Sequence, residues 1–414
     1  MNAIDRKRLM QRRTSNGCAA SAASDNRVNA CDLDQFVPNL QNARLSSAPE
    51  ISCVSVVIPN FNHGRLIPRA IAALLRQVRA PLEIIVVDDG SSDDSIAVIE
   101  RLRRQSPSIR LIRHATNLGA PAALNTGLRA ARGTFVYFAA ADDFCLPNLF
   151  SKALAALEAN PSAAFYCANT VLVDPSGQII GFRPFMWPAG KAAYISPDAV
   201  RRELAISDNW AVGATVVFRR QRLLAIGGFG ETLASLCDGM VVRLLALVDG
   251  FYFDPSICAA WEVYPESLSA RSALSSSESS RLADKLVQHV KSAFPADVRD
   301  TYALLWSRRL RFNMGRLWLV FGKGVIDGDQ LSAALQLSAL DNRVLRLLAA
   351  LPGLSKLAIL AWLTVRLRPY GVRAIVKGWW RARVLERNER RAVERAIAIA
   401  RGAIDSPVMR LPRA

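Results

Sequence analysis

Four short apolar runs stand out in the early part of the chain: Cys53–Ile58, Leu82–Val87, Ile109–Ile112 and Thr134–Ala139. Segments with helical spacing separate them, at Leu66–Gln77, Ser95–Arg104 and Pro121–Ala131. Near-continuous apolar strands alternating with helices predict an α/β fold, with a mostly parallel sheet covered on both faces. Such sheets bind their ligands outside the carboxyl ends of the strands. Two of those ends carry paired acids: Asp88-Asp89-Gly90-Ser91 after the second strand, and Asp142-Asp143 after the fourth. The chemistry is expected there.

The pattern continues with a helix over Pro147–Ala159, strands over Ala164–Val173 and Gln178–Phe182, and a turn at Asp174-Pro175-Ser176-Gly177 between those strands. Pro184–Pro197, with three prolines, Trp187 and Tyr194, reads as a loop. Gly213–Phe218 reads as a strand, the stretch around Asp238–Val248 as a helix, and Phe251–Asp254 as a last short strand. Gly127 falls inside a predicted helix, where glycine is unfavourable, and so predicts a close backbone approach. Ser92 or Asp93 is placed to cap the helix after the second strand.

From Ser272 onward the strand pattern vanishes. Apolar residues recur at helical spacing in Leu304–Val320, Leu331–Leu340, Val344–Leu351, Leu354–Leu367 and Val372–Ile399. The most apolar window, Leu345–Val365, is broken by Arg346, Pro352-Gly353 and Lys356, which argues against a membrane span. Three regions result: a disordered, polar segment 1–50, an α/β domain 51–270, and a helical region 271–414.

Charge sharpens this division. The formal net charge of +18 is not spread evenly. Cys53–Ala270 holds 20 Lys and Arg against 19 Asp and Glu, whereas Arg343–Ala414 holds 16 against 4. A nucleic-acid substrate would need a basic cleft in the α/β domain, so nucleic acid is not expected as a partner. Basic helices carrying Trp362, Trp379 and Trp380 suit an anionic membrane surface; the alternative is a helical domain packing its stripes internally. Met1–Arg13 is polar and charged, so no leader is expected. Seven cysteines with no C-x-x-C pair suggest reduced thiols and no zinc site. Together these place the protein in the cytoplasm, peripheral on the inner face of the cytoplasmic membrane, with a tail separable from the α/β chemistry.

The order of short motifs then identifies a resemblance. Ser55-Val56-Val57-Ile58-Pro59-Asn60-Phe61-Asn62, followed by Glu83-Ile84-Ile85-Val86-Val87-Asp88-Asp89-Gly90-Ser91, is similar to the nucleotide-sugar half of family-2 glycosyltransferases of the GT-A fold, here residues 51–145. Asn117-x-Gly119, Asn125-x-Gly127, Ala131-x-Gly133 and Asp142-Asp143 follow in the family's order. Gly227-Gly228-Phe229, Asp238 and Tyr264-Pro265-Glu266-Ser267-Leu268-Ser269 resemble its acceptor half, residues 146–270. A dehydrogenase has the same alternation, but Pro59-Asn60-Phe61-Asn62 stands where its G-x-G-x-x-G turn belongs.

The resemblance implies an inverting bacterial cell-surface polysaccharide glycosyltransferase. It would take a nucleotide diphosphate sugar, UDP-linked, and a saccharide or lipid-linked acceptor. It assigns a divalent cation (Mn2+ or Mg2+) to Asp142 with Asp143 beside it, a nucleotide site to Pro59, Phe61, Asp88, Asp89, Asn117, Gly119 and Asp142, and the base to Asp238. Asp89 would accept from the imino N–H of a uracil-like ring, on which Phe61 would stack. A helix start would keep Asp238 ionised. Plainer roles stay open: Asp88-Asp89-Gly90-Ser91 as a capping turn, Asp142 or Asp143 as a helix start, Asp238 as a cap, Phe61 as core, and His63, His114 and His289 as isolated structural residues. Ala140, Leu124, Cys237 and Tyr264 depart from the family's Asp, Arg, acid and His. These departures motivate the alternative of a degenerate sugar-nucleotide-binding or scaffold protein.

Overall fold

Strand β1 (Val54–Asn60) is buried along almost its whole length because both of its faces are covered. Val54, Val56 and Ile58 enter one core, and Val57 enters the other. The neighbouring strand β2 (Glu83–Asp88) repeats this alternation, with Ile84 and Val86 on the first side and Ile85 and Val87 on the second. Each such side chain contributes about 1.5–3 kcal/mol on full burial. Strands β3 (Ile109–Arg113) and β4 (Phe135–Phe138) complete a parallel half of order β3-β2-β1-β4.

The sheet then becomes mixed. Strand β9 (Val217–Arg219) pairs antiparallel with both β4 and β6 (Phe165–Val173), and β10 (Phe251–Glu262) runs parallel to β6. Strands β5 (Phe144–Cys145) and β8 (Ala193–Ile195) pair antiparallel with β10, and β7 (Ile179–Arg183) pairs with β6. Helices α1 (Ile67–Leu75), α2 (Ser95–Gln105) and α4 (Leu149–Ala159) pack on the first face. Helix α3 (Ala120–Ala130) packs on the second, opposite β1. A Cβ on Gly127 would lie 2.2 Å from Val57 Cγ1, which is the close approach the sequence predicts. A glutamate is buried where the parallel half begins: Glu83 accepts from Ser55 Oγ at 2.8 Å, from the Arg132 amide at 2.8 Å, and from Arg110.

The computed structural model describes residues 52–141, 144–174, 178–183, 187–208, 210–262, 276–321, 328–335, 337–351 and 353–371, with scattered helical residues as far as 394. Segment 1–50, Asp142, Asp143, the turn residues Pro175–Gly177, Tyr264 and much of Val372–Ile399 lie outside these.

Several expectations change within the described residues. Pro184–Pro197 is not wholly a loop, because Ala193–Ile195 forms β8; helix α5 (Pro197–Ile206) then follows. That helix carries ordinary start signals: Ser196 caps it, Pro197 occupies its first turn and Asp198 follows. Gly213–Phe218 opens as a 3-10 turn (Gly213–Thr215) and becomes a strand only at Val217. The expected short strand Phe251–Asp254 is the twelve-residue β10, which passes Pro255 through register shifts between Asp254 and Ala259. Helix α6 (Arg220–Ala225) precedes Gly227, and α7 (Cys237–Asp249) spans the predicted helix.

The helical region comprises α8 (Ser276–Ala293), α9 (Arg299–Phe321), α10 (Gly328–Ala334), α11 (Ala339–Ala349) and α12 (Ser355–Leu367). The predicted helix Leu331–Leu340 stops early, since Ser338 and Asp341 form a capping box that starts the next one. Leu286, Tyr302, Trp306, Leu310, Ile359, Leu363 and Leu367 join the same buried cluster as Leu128 of α3 and Leu245 of α7. The stripes therefore pack largely inward, and Trp362 is half-buried against this core rather than presented outward. Trp380 is exposed, and Trp379 lies outside the described residues. Among the described residues no helix is long and apolar enough to cross a membrane.

Candidate active site

The ends of β1 and β2 are stitched into one platform. Asn60 stands opposite Asp88 in the register, and its Nδ2 donates to Asp88 Oδ1 at 2.8 Å. Ser91 donates to Asp88 twice, from Oγ at 2.6 Å and from its amide at 3.1 Å. Asn62, at φ 57°, accepts from the Ser92 amide at 2.8 Å, while Asp93 accepts from the Gly64 and Ser95 amides, both at 3.0 Å; the N-cap of α2 is Asp94, which makes no side-chain cap bond, and not Ser92 or Asp93. Asp88 is thus consumed in holding two loops together. The same stitching leaves Phe61 43% exposed beyond the end of β1, so it is not a core residue. A groove of about 500 Å³ adjoins this platform, lined by Asn62, His63, Arg65, Leu66, Asp93 and Asp94.

Asp89 is buried and faces the loop after β3. Its carboxylate accepts from His114 Nδ1 at 2.7 Å, the Leu118 amide at 3.0 Å and the Gly119 amide at 2.8 Å. We assign the proton to Nδ1 because a carboxylate only accepts; Nε2 then lies 3.1 Å from Thr126 Oγ1 on α3. His114 is therefore no isolated histidine: it bridges Asp89 to α3. Three of roughly four acceptor positions on Asp89 are filled by the protein, leaving one for a ligand. Asn117, whose Oδ1 accepts from the Gly119 amide at 3.0 Å, is held exposed by the same loop.

A second link joins α3 to the segment before α7. The buried Asn125 donates Nδ2 to the Phe229 carbonyl and accepts its amide on Oδ1, both at 2.8 Å. Gly228 adopts φ +78°, and a Cβ there would meet Asn125 Oδ1 at 2.4 Å. Leu124, where the resemblance expects an arginine, is half-buried against the α3–α7 core and supplies no charge.

Asp238 lies in the first turn of α7, as predicted. Its Oδ1 accepts from the Gly239 amide at 2.6 Å, and its Oδ2 stands 3.0 Å from where a Cβ on Gly213 would be. The side chain is open to solvent yet ringed by protein. That crowding pushes its carboxyl above the usual carboxylate value, against the opposing Gly239 amide and Arg243. Cys237 turns into the core and burial raises its thiol, so it adds no charge where the resemblance expects an acid.

Among the described residues no three His, Cys, Asp or Glu side chains gather as a metal site. The expected cation therefore rests on Asp142 and Asp143, outside them; their sequence neighbours Ala141 and Phe144 are buried. Sequence reasoning missed His114, Asn62 and Arg243. Only the Asp89–His114 pair left a signal, an acid and a histidine at two strand ends.

Residues 55–191 match the family described as "Glycosyl transferase family 2". The chain is 37% identical over 110 residues to EpsJ of Bacillus subtilis (strain 168), named an uncharacterized glycosyltransferase, covering 27% of this chain and 32% of EpsJ. It is 30% identical over 208 residues to the protein MT1568 of Mycobacterium tuberculosis (strain CDC 1551 / Oshkosh), covering 49% of this chain and 65% of MT1568. It thus spans about a third to just under two-thirds of these relatives. A crystal structure of S. aureus TarS 1-349 with UDP-GlcNAc overlays with TM-score 0.48 at 17% identity, covering 76% of this chain and 90% of that one; so low a score supports no assignment. Within this chain it is residues 55–191 that are similar to a family-2 glycosyltransferase domain.

Proposed function

We propose that the chain transfers a sugar, with inversion, from a UDP-linked or similar nucleotide diphosphate sugar to a saccharide or lipid-linked acceptor. The observation that carries this reading is Asp238: an accessible carboxylate at the start of α7 with one oxygen, Oδ2, free of donors among the described residues. As the acceptor hydroxyl attacks the anomeric carbon, its proton passes to Oδ2 and the bond from that carbon to the diphosphate oxygen breaks. A carboxyl held above its usual value is the stronger base. Phe61 offers a face for the nucleotide ring, Pro59 and Asp88 frame the platform, and the Asp89 loop presents Asn117 and Gly119. Asp142, with Asp143, would hold a divalent cation that offsets charge on the leaving diphosphate. Incubating the protein with a panel of nucleotide sugars and Mn2+ or Mg2+ tests this: wild type should release nucleoside diphosphate, and Asp142→Ala should not. Equal release by the two would remove the metal role.

The acceptor side includes a membrane. Leu347 (72% exposed) on α11 and Leu357 (67%) on α12 stand outward beside exposed Arg343 and Lys356. Apolar side chains among cations fit an anionic lipid surface. One observation favours a second reading, a binding protein without turnover: Leu124 is packed into the core where a diphosphate contact was expected. UDP binding by calorimetry with no turnover of any donor would favour it.

A further inference from the structure

A buried acid, a buried arginine and a half-buried arginine meet where the helical region joins the α/β domain. Asp208, just beyond α5, accepts from Tyr302 Oη at 2.8 Å and lies 3.4 Å from Arg243 Nε and 3.6 Å from Arg309 Nη1. Arg309, on α9, is buried; its Nε donates to the Pro369 carbonyl at 2.8 Å and its Nη2 to the Ala205 carbonyl at 3.4 Å. Arg243 donates Nη1 to the Gly239 carbonyl at 2.7 Å, and its guanidinium lies 4.7 Å from the centre of the Trp306 ring. The carbonyl it grips belongs to the residue whose amide holds Asp238 Oδ1. Two cations face one buried anion, and Arg243 reaches the turn of Asp238 through Gly239, whose carbonyl it binds and whose amide binds Asp238.

We propose that Asp208 is a positioning residue: through Arg243 it fixes the place and charge surroundings of Asp238, which makes Tyr302, Trp306 and Arg309 of the helical region part of the transfer site. This rests on Asp238 as the base. Apolar packing could cement α9 to α7 at lower desolvation cost than a buried acid and arginine with a half-buried arginine beside them. What apolar packing cannot supply is a fixed cation one turn from the carboxylate. Burial alone would push Asp208 up, but Arg243, Arg309 and Tyr302 outweigh it and hold it below the usual carboxylate value, so it stays charged. Burial pushes the Tyr302 and Tyr370 hydroxyls up, so both stay neutral at ordinary pH. Cys237 likewise stays a neutral thiol. Glu231, in the 3-10 turn before α7, is exposed. Among the described residues Arg243 is the charged group that acts on Asp238.

The experiment reads the acid limb of kcat/KM against pH for donor turnover, in the full chain. Arg243→Gln removes the cation beside Asp238 and should move the limb up. Asp208→Asn leaves the arginines less compensated and should move it down. Arg243→Lys keeps the charge but loses the fork, so kcat should fall with the limb in place. That lysine and glutamine pair carries the test if Asp208→Asn does not fold. The same midpoints are read without turnover by infrared titration, as the carboxylate band that Asp238→Asn removes. Shifts in the same direction for Asp208→Asn and Arg243→Gln, or none for Arg243→Gln, overturn the inference. Full activity in Asp238→Asn would instead overturn the base assignment while leaving the infrared result standing.

Discussion

Replacing Asn125 should damage the joint between the two halves of the domain, by an amount the geometry bounds. Asn125→Ala removes two hydrogen bonds and leaves the amide and carbonyl of Phe229 without their partner in a buried place. Each unsatisfied buried group costs about 1–3 kcal/mol, so the loss should be about 2–6 kcal/mol. Gly228→Ala should cost about 1–2 kcal/mol for its left-handed backbone, and more for the Cβ that meets Asn125 Oδ1 at 2.4 Å. The two penalties share that oxygen. Once Asn125 is alanine, the nearest remaining obstacle to the new Cβ is Leu128 Cδ2 at 3.3 Å, so only the backbone cost survives. A double-mutant cycle by urea unfolding should therefore show the double variant losing less than the sum of the singles, by at least about 1 kcal/mol. Strict additivity would refute the account of this joint.

Three further outcomes are expected. Phe61→Ala should weaken UDP binding by about 1–3 kcal/mol in calorimetry while leaving the unfolding midpoint unchanged, because the ring is exposed; an equal loss of stability would mean the ring packs internally. Burial raises the Glu83 carboxyl, but Arg110, Ser55 and the Arg132 amide outweigh it and set the folded value below the unfolded one. Its stability contribution is then present above the unfolded value and lost as pH falls through the folded one, so Glu83→Gln should flatten the loss of stability below about pH 4.5. Leu347→Glu and Leu357→Glu should each cut sedimentation with anionic liposomes about tenfold or more, from the roughly 1.5–3 kcal/mol that a buried leucine contributes; undiminished binding would place the membrane contact elsewhere.

Period and punctuation made the parallel half legible. Each strand there is buried on both sides and each helix has one apolar face, so the seven elements from β1 to β4 fall within a few residues of their predicted bounds. Gly127 was readable because its cost in a helix demands a reason, and Val57 is that reason. β10 was cut short because Asp254-Pro255-Ser256 mimics a strand end, and the sheet absorbs it by register shifts that no local pattern announces. The roles of Asp88 and Asp89 were half legible. Their strand-end position and the neighbouring Ser91 were plain, but their partners Asn60, His114 and the 118–119 amides converge from segments far apart in sequence. The helical region was read as a separable tail for the same reason. Its charge is local and visible, whereas the contacts of Tyr302, Arg309 and Leu363 with the α7 side of the sheet are long-range. Truncation after about Asp341 would strip Ile359, Leu363 and Leu367 from that shared core, so point substitutions are the sounder probe.

The account's central claim is tested most directly by Asp238→Asn, assayed in parallel for nucleotide affinity and for turnover of the best donor with its acceptor. The substitution keeps shape and removes the proposed proton acceptor. Nucleotide affinity should stay within about twofold, because Asp238 lies outside the loops proposed to hold the nucleotide, while kcat should fall about 100-fold or more. Turnover at the wild-type rate would contradict the assignment of the base and, with it, the transfer mechanism proposed for this chain.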